Sequence, residues 1–394
     1  MNIVDAVVIV LLIGAAISGF RQGLIAAMFT LVAAVAGAVA AIRLAPLLMA
    51  RVDDPTAKVA IGIACVVVGV GIGEVAGSAV GRAISRRISW RPAQAVDRTL
   101  GLFGYTLAVL LVIWLIAVPL ASVPYPWLSS AIRSSAVLDR VDEVMPSRAR
   151  DISAQLREVF NDSGFPAILD PLATTPITAV DPPDPALLSD PAVAAARKSV
   201  LKVRATSESC SRRMEGTGFV IGPGRVLTNA HVVAGSSRAS VEVGTRTLDG
   251  TVVVYDAERD LAVLDVPDLS APALAFAQSP ARAGDDAIVA GYPLDGPYSL
   301  TSARVRALIQ LRGPNIYSDS TVTREVYTIR GQVRPGNSGG PLLGKDGAVL
   351  GVIFGAAIDE SDVGFALTAA EVAPVVRAGL TDQTPASTEA CTAA

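Results

Sequence analysis

The run GQVRPGNSGGPLL, residues 331–343, has the makings of a nucleophile loop. Small residues on both sides of Ser338 let the backbone turn tightly and let a substrate carbonyl come close. The N–H groups of Gly336 and Ser338 can then converge on one point, as an oxyanion hole requires. A serine hydroxyl is a weak nucleophile at its free pKa and needs an adjacent base. The chain holds 1 His, and it is His231, in LTNAHVV. A carboxylate must hold the imidazole in one tautomer. Asp260, in RDLAVL, is the candidate because the apolar run after it would bury it against a strand; Asp256 lacks that run. A lone His beside a Val pair is usually structural, and a lone GNSGG is usually a turn. Their joint occurrence points to acyl transfer: attack by Ser338, an acyl-enzyme, then water. This chemistry calls for no metal and no organic cofactor.

Asp260 follows His231 by 29 residues, and Ser338 follows Asp260 by 78. With TNAHVV, RDLAVL, GNSGGPL and the upstream Gly216-Thr217-Gly218-Phe219-Val220, the chain resembles the chymotrypsin-fold serine proteases, most closely their bacterial HtrA-like branch. The order His, Asp, Ser excludes the subtilisin and α/β-hydrolase orders. The resemblance covers roughly residues 199–376 and implies two β-barrels with the cleft between them. It also implies a specificity pocket near Gln332, Ile353, Phe354 and Gly355. No Asp stands at its base, so uncharged P1 residues are expected. Asn337 stands where digestive relatives carry the Asp that receives a newly cut N-terminus, so activation by that ion pair is not expected. No PDZ module is expected after the second barrel.

The whole chain is more than this domain. Of 394 residues, 51% are hydrophobic and 18% charged, too apolar for one soluble domain. A net charge of −3 gives no reason to expect nucleic acid. The 3 Cys are Cys65, Cys210 and Cys391, and no metal-ligand spacing exists. Apolar runs at residues 3–17, 24–42, 59–80 and 100–121 are each about the length that crosses ~30 Å of hydrocarbon. Arg82, Arg86, Arg87, Arg91 and Arg98 place the link between the third and fourth runs in the cytoplasm. Everything after Ala121, the protease included, is then extracytoplasmic.

Gly69, Gly73, Gly77 and Gly81 share one face of the third run. They suit close packing inside the bundle or self-association of the chain. Glu74, in the same run, reads as a packing residue ahead of a proton or ion path. With Asp5 and Gly19-Phe20-Arg21-Gln22-Gly23, this region resembles the CvpA (colicin V production) membrane family.

Residues 130–160 are amphipathic, with Pro146 between two short helices. Residues 161–191, rich in Pro, read as a semi-rigid spacer. Short strands follow, from Val200 to Leu367, with a closing helix near 370–377. The expected organisation is multi-domain: a four-helix transmembrane bundle at 1–122, amphipathic helices and linker at 123–190, and an all-β two-barrel chymotrypsin-like domain at 191–394. A bond between Cys210 and Cys391, in an oxidising space, would pin the tail to the first barrel. By chain entropy it would stabilise by about 4–5 kcal/mol.

As a whole, the chain resembles the membrane-anchored acid-resistance serine proteases of actinobacteria. That implies a multi-pass protein of the inner membrane with a periplasmic protease. Its partners would be the lipid bilayer and envelope protein or peptide substrates, cell-wall hydrolases among them. Two rivals are a sensor that has lost catalysis and a transporter that the protease merely regulates.

Overall fold

The computed structural model describes all residues except 1, 50–54, 86–89, 122–125, 146–167, 170–174, 208–211, 237 and 393–394. The chain forms two compact units, 1–122 with 128–160 and 123–127 with 161–394.

The first unit is built on four long helices: α1 (Ile3–Gln22), α2 (Leu24–Met49), α3 (Pro55–Ser85) and α4 (Arg91–Leu120). All four are long and apolar enough to cross a membrane. They run beyond the apolar cores expected at residues 3–17, 24–42, 59–80 and 100–121, because helical hydrogen bonding continues past the last apolar residue. Small side chains such as Ala26, Ala34 and Ala38 are buried, whereas Val10, Leu47, Ile72, Val75 and Phe103 point outward. That inversion suits a lipid surround, where association relies on close backbone approach. The glycine face of α3 is spent within the chain. A Cβ on Gly73 would lie 2.1 Å from the Ala33 carbonyl, and one on Gly77 would lie 2.4 Å from that of Phe29. Of the two uses expected for this face, the described contacts are those of packing inside the bundle, α3 on α2.

The GFRQG motif has a similar cause. Gly23, at φ +84°, ends α1 and makes room for Asp97, whose Oδ1 accepts from the Ile25 N–H at 3.1 Å and caps α2. At the other end of α1, buried Asp5 accepts from the Ser135 hydroxyl (2.7 Å) and the Val137 N–H (3.2 Å). These bonds tie α1 to α6 (Ala136–Val144), and the Asn2 amide donates to the Ala131 carbonyl of α5 (Pro126–Arg133) at 2.6 Å. The first amphipathic segment thus belongs with the helix bundle. The second, beyond Pro146, lies outside the described residues.

The second unit contains two closed six-stranded antiparallel barrels, ordered β1-β2-β3-β6-β5-β4 and β10-β11-β12-β9-β8-β7. The first comprises β1 (Val200–Ser207), β2 (Arg212–Gly222), β3 (Arg225–Thr228), β4 (Arg238–Val243), β5 (Arg246–Asp256) and β6 (Leu261–Asp265). The second comprises β7 (Asp286–Gly291), β8 (Ser299–Pro314), β9 (Thr321–Arg330), β10 (Pro341–Gly344), β11 (Val349–Ala356) and β12 (Val363–Thr368). Most strands are longer than their apolar runs suggest, because backbone pairing continues where both faces are polar, as at Arg312↔Thr323 in the β8–β9 hairpin.

Each barrel has its own core. A third cluster, with Val200, Phe219 and Val263 from one barrel and Val352, Phe354 and Phe365 from the other, welds the pair together. The terminal helix Ala369–Thr381 packs there through Val372 and Val375.

The Pro-rich spacer is not free where it is described. Arg306 donates to the Thr178 carbonyl (2.8 Å) and Arg330 to that of Val180 (2.7 Å). Thr175 is bound to Asp359 through both its N–H and its hydroxyl. Its prolines keep the segment extended, and its unpaired carbonyls then become acceptors for arginines of the second barrel.

Candidate active site

β3 delivers Asn229 and then the single helical turn Ala230–Val233, which carries His231. The turn between β5 and β6 delivers Asp260. Asp260 lies at φ +59°, a left-handed conformation that Asp tolerates better than most residues. It is held there by the Asn229 amide, which donates to its carbonyl at 2.6 Å. The carboxylate then meets His231 twice. Oδ1 accepts the His231 main-chain N–H at 2.9 Å, and Nδ1 lies 2.7 Å from Oδ2. An ionised carboxylate can only accept, so Nδ1 carries the proton and Nε2 is left as a base. Asp256, the rival carboxylate, instead accepts from the main chain and the guanidinium of Arg259 at 2.8 and 3.0 Å.

Behind the turn lies Arg324 of β9, only 4% exposed. Its Nε donates to the Glu258 carbonyl at 2.6 Å, and its guanidinium stacks over Phe354. Burial pulls the pKa of this guanidinium down, while Asp260 and Asp256 push it back up.

The loop carrying Ser338 is held almost wholly by main-chain groups. Its partner is Thr217 of β2. The Thr217 N–H donates to the Ser338 carbonyl (2.8 Å) and its hydroxyl to the Gly336 carbonyl (2.6 Å). The same hydroxyl accepts from the Tyr292 N–H at 3.0 Å. Two glycines are obligatory. Gly339 has φ +81°, and a Cβ there would sit 2.2 Å from the Thr217 carbonyl oxygen. Gly336 has φ +91°, and its Cβ would sit 2.4 Å from the Tyr292 carbonyl oxygen. The Pro335 carbonyl accepts from the Leu294 N–H at 2.7 Å. A trans peptide sets C=O and N–H on opposite sides, so the Gly336 N–H faces away from Leu294. Among the described residues, the N–H groups of Gly336 and Ser338 meet no acceptor. Two uncommitted donors flanking a serine are what a developing oxyanion would need. The Ser338 hydroxyl is buried and makes no hydrogen bond among the described residues, so the bond to His231 is not formed in this state. Such bonds are often loose without substrate and tighten when it binds.

The expected pocket residues are placed unequally. Gln332 is exposed. The side chains of Ile353 and Phe354 are 0% and 1% exposed and lie in the core, so they can offer a cleft only their backbone. Gly355, without a side chain, pairs with Phe365. Cys210 lies outside the described residues. Cys391 brings its Sγ to 3.2 Å from the Ser207 hydroxyl, at the end of β1. The tail leading to it follows the His231 helix: the Gly235 N–H donates to the Thr388 carbonyl at 2.8 Å. Thr217, Leu294, Arg324 and this tail are the parts that motif reading misses. Only the Thr inside GTGFV carried a signal, by its place beside two glycines.

The family described as Colicin V production protein matches residues 4–146, and the family described as Trypsin-like peptidase domain matches residues 216–352. The serine protease Rv3671c of Mycobacterium tuberculosis is 44% identical over 390 residues, 98% of each chain. The crystal structure of its protease in the active form is 51% identical in sequence, with a TM-score of 0.54, and covers 57% of this chain and all of that one. The serine protease HhoA of Synechocystis is 36% identical over 158 residues, 39% of this chain and 40% of that protein. The chain belongs to the family of serine proteases that includes the M. tuberculosis enzyme, with a CvpA-type helical domain joined to a trypsin-like peptidase domain.

Proposed function

We propose that this serine protease acts through His231 as general base, Asp260 as the group that orients and charge-balances the imidazole, and Ser338 as nucleophile. The observation that carries the reading is the doubly hydrogen-bonded His231–Asp260 pair facing a glycine loop with two uncommitted N–H donors. In the proposed cycle the Ser338 hydroxyl turns onto Nε2 and attacks the scissile carbonyl. The N–H groups of Gly336 and Ser338 hold the oxyanion, and the imidazolium protonates the leaving amine. Water repeats the sequence on the acyl-enzyme. A substrate chain would lie along β11 at Phe354–Ala356, where β10 no longer pairs, and its P1 side chain would be uncharged. Fluorophosphonate labelling tests the assignment: wild-type protein is labelled at Ser338, and labelling of a Ser338→Ala variant would overturn it.

For the domains, the proposed division keeps the four apolar helices of 1–122 as the anchor and the two barrels from 191 onward as the peptidase; the segment between divides, 128–160 grouping with the bundle and 161–190 with the barrels. The protease domain is assigned to the periplasmic side of the inner membrane. Arg82 and Arg98 mark the cytoplasmic ends of α3 and α4, which leaves the end of α4 outside. Envelope proteins, cell-wall hydrolases among them, are the proposed substrates, in support of survival in acid. A disulfide between Cys210 and Cys391 is proposed because Cys391 lies beside Ser207, three positions before Cys210. Its redox effect is read by comparing peptidase rates of oxidised and reduced protein; equal rates would discard regulation by this bond.

A further inference from the structure

Asn337 is uncharged and the run 331–340 holds no Asp or Glu, so the nucleophile loop has no buried anion of its own to pin it. A different charged device stands one turn away. Between β7 and β8 the chain makes a 3₁₀ turn, Pro293–Asp295, in which Leu294 and Asp295 both have positive φ, +55° and +54°. Asp tolerates this conformation but Leu does not favour it, and two such residues in succession call for something outside the turn to hold them. That something is β1 of the other barrel. Lys202, its side chain only 9% exposed, donates from Nζ to the Asp295 carboxylate (2.7 Å) and the Asp295 carbonyl (2.8 Å). Arg204 Nη2 adds a third bond to the same carboxylate at 2.8 Å. Arg204 is in turn set by Glu215 and Glu242, both at 2.5 Å. The Lys202 ammonium also lies over the ring of Tyr292. The turn's product is one hydrogen bond: the Leu294 N–H on the Pro335 carbonyl, which sends the Gly336 N–H the opposite way.

We propose that Asp295 is a positioning residue for the oxyanion hole: clamped by Lys202 and Arg204, it holds the 293–295 turn whose Leu294 N–H fixes the orientation of the Pro335–Gly336 peptide. Without the clamp the turn relaxes to negative φ, the Leu294 N–H leaves, and that peptide is free to flip. A flip would replace a donor by a carbonyl oxygen in the hole. The proposal rests on the Gly336/Ser338 reading given above.

The test uses the full-length chain in detergent and an internally quenched peptide chosen from the cleavage products of casein. Removing one oxyanion donor costs about 10²–10³ in kcat. Intermittent loss of that donor in Asp295→Ala should lower kcat at least about tenfold and leave KM within about threefold. Asp295→Asn, which keeps an acceptor for both cations, should recover part of the rate. Lys202→Met should lower kcat similarly, and the double variant should be no worse than the poorer single one, because both break one clamp. The chain has 1 His, so its imidazole NMR signals report the triad alone. They should be unchanged in every variant. A kcat within twofold of wild type, additive losses in the double variant, or a shifted imidazole signal would each overturn the proposal. Should Ser338→Ala keep the wild-type rate, the nucleophile assignment itself fails, which is a separate outcome.

Discussion

The two halves of the site are held by opposite means. On the first barrel, the proposed chemistry and its positioning reside in the same residues. Asp260 orients His231 directly, through charge-assisted bonds in a buried setting. On the second barrel the proposed chemistry is in Ser338, but the positioning comes from elsewhere: Thr217 of β2 and the Leu294 N–H, acting on main-chain carbonyls. A base needs a partner of defined charge. An oxyanion hole needs peptides of defined orientation, which any residue with a well-held backbone can supply. Damage to the first half should therefore act through charge and tautomer, and damage to the second through geometry.

The largest expected effect breaks the symmetry between nucleophile and support. Ser338→Ala should lower kcat by about 10⁴ or more, read on the same quenched peptide. Asp260→Asn should cost about 10⁴ by presenting the wrong tautomer, with the fold intact by circular dichroism. Thr217→Val tests the geometric half. It removes the hydroxyl from between the Gly336 carbonyl and the Tyr292 N–H and leaves both short of a partner, at a cost of about 1–3 kcal/mol in stability. It should also lower kcat by about tenfold, while the His231 imidazole signals stay put. Identical imidazole shifts in Asp260→Asn and Thr217→Val would erase the distinction between the two halves.

The smallest effect concerns pH. Asp295 is held below its ordinary value of 3.8, first by the hydrogen bond from Lys202. A depressed carboxylate contributes stability above its unfolded pKa, and this is lost as pH falls through the lower folded value. The difference in melting temperature between wild type and Asp295→Asn should thus hold from pH 7 to about 4 and close only below that. Glu215 is pushed up, first by burial, and so favours its protonated form in the fold. Its contribution is full below its unfolded value and fades as pH rises through the folded one. Glu215→Gln should then be at least as stable as wild type at pH 7. The Lys202–Asp295 contact therefore stays charged in acid that protonates ordinary carboxylates.

Legibility in sequence followed the same division. The proposed triad of His231, Asp260 and Ser338 could be picked out because its members are scarce or motif-bound: a single His, an Asp 29 residues after it before an apolar run, and a Ser inside GNSGG. The four apolar helices were legible because crossing a bilayer demands an unbroken run. Strand ends were not, since β8 and β9 pair well beyond their apolar stretches. The use of the α3 glycines was open until α2 was seen against them. Ile353 and Phe354 read as pocket walls, but alternation along β11 and the inter-barrel core turned both side chains inward.

What the amino-acid order determined by itself was an inventory: which groups can take a proton, attack a carbonyl or sit in lipid. These are properties of single side chains and short runs. What only tertiary structure decided was the support. Lys202 and Asp295 are 93 positions apart, and Thr217 and Gly336 are 119 apart. A lysine, an aspartate and a threonine are common residues, and nothing in their local sequence says that two barrels will close on one another and bring them into contact.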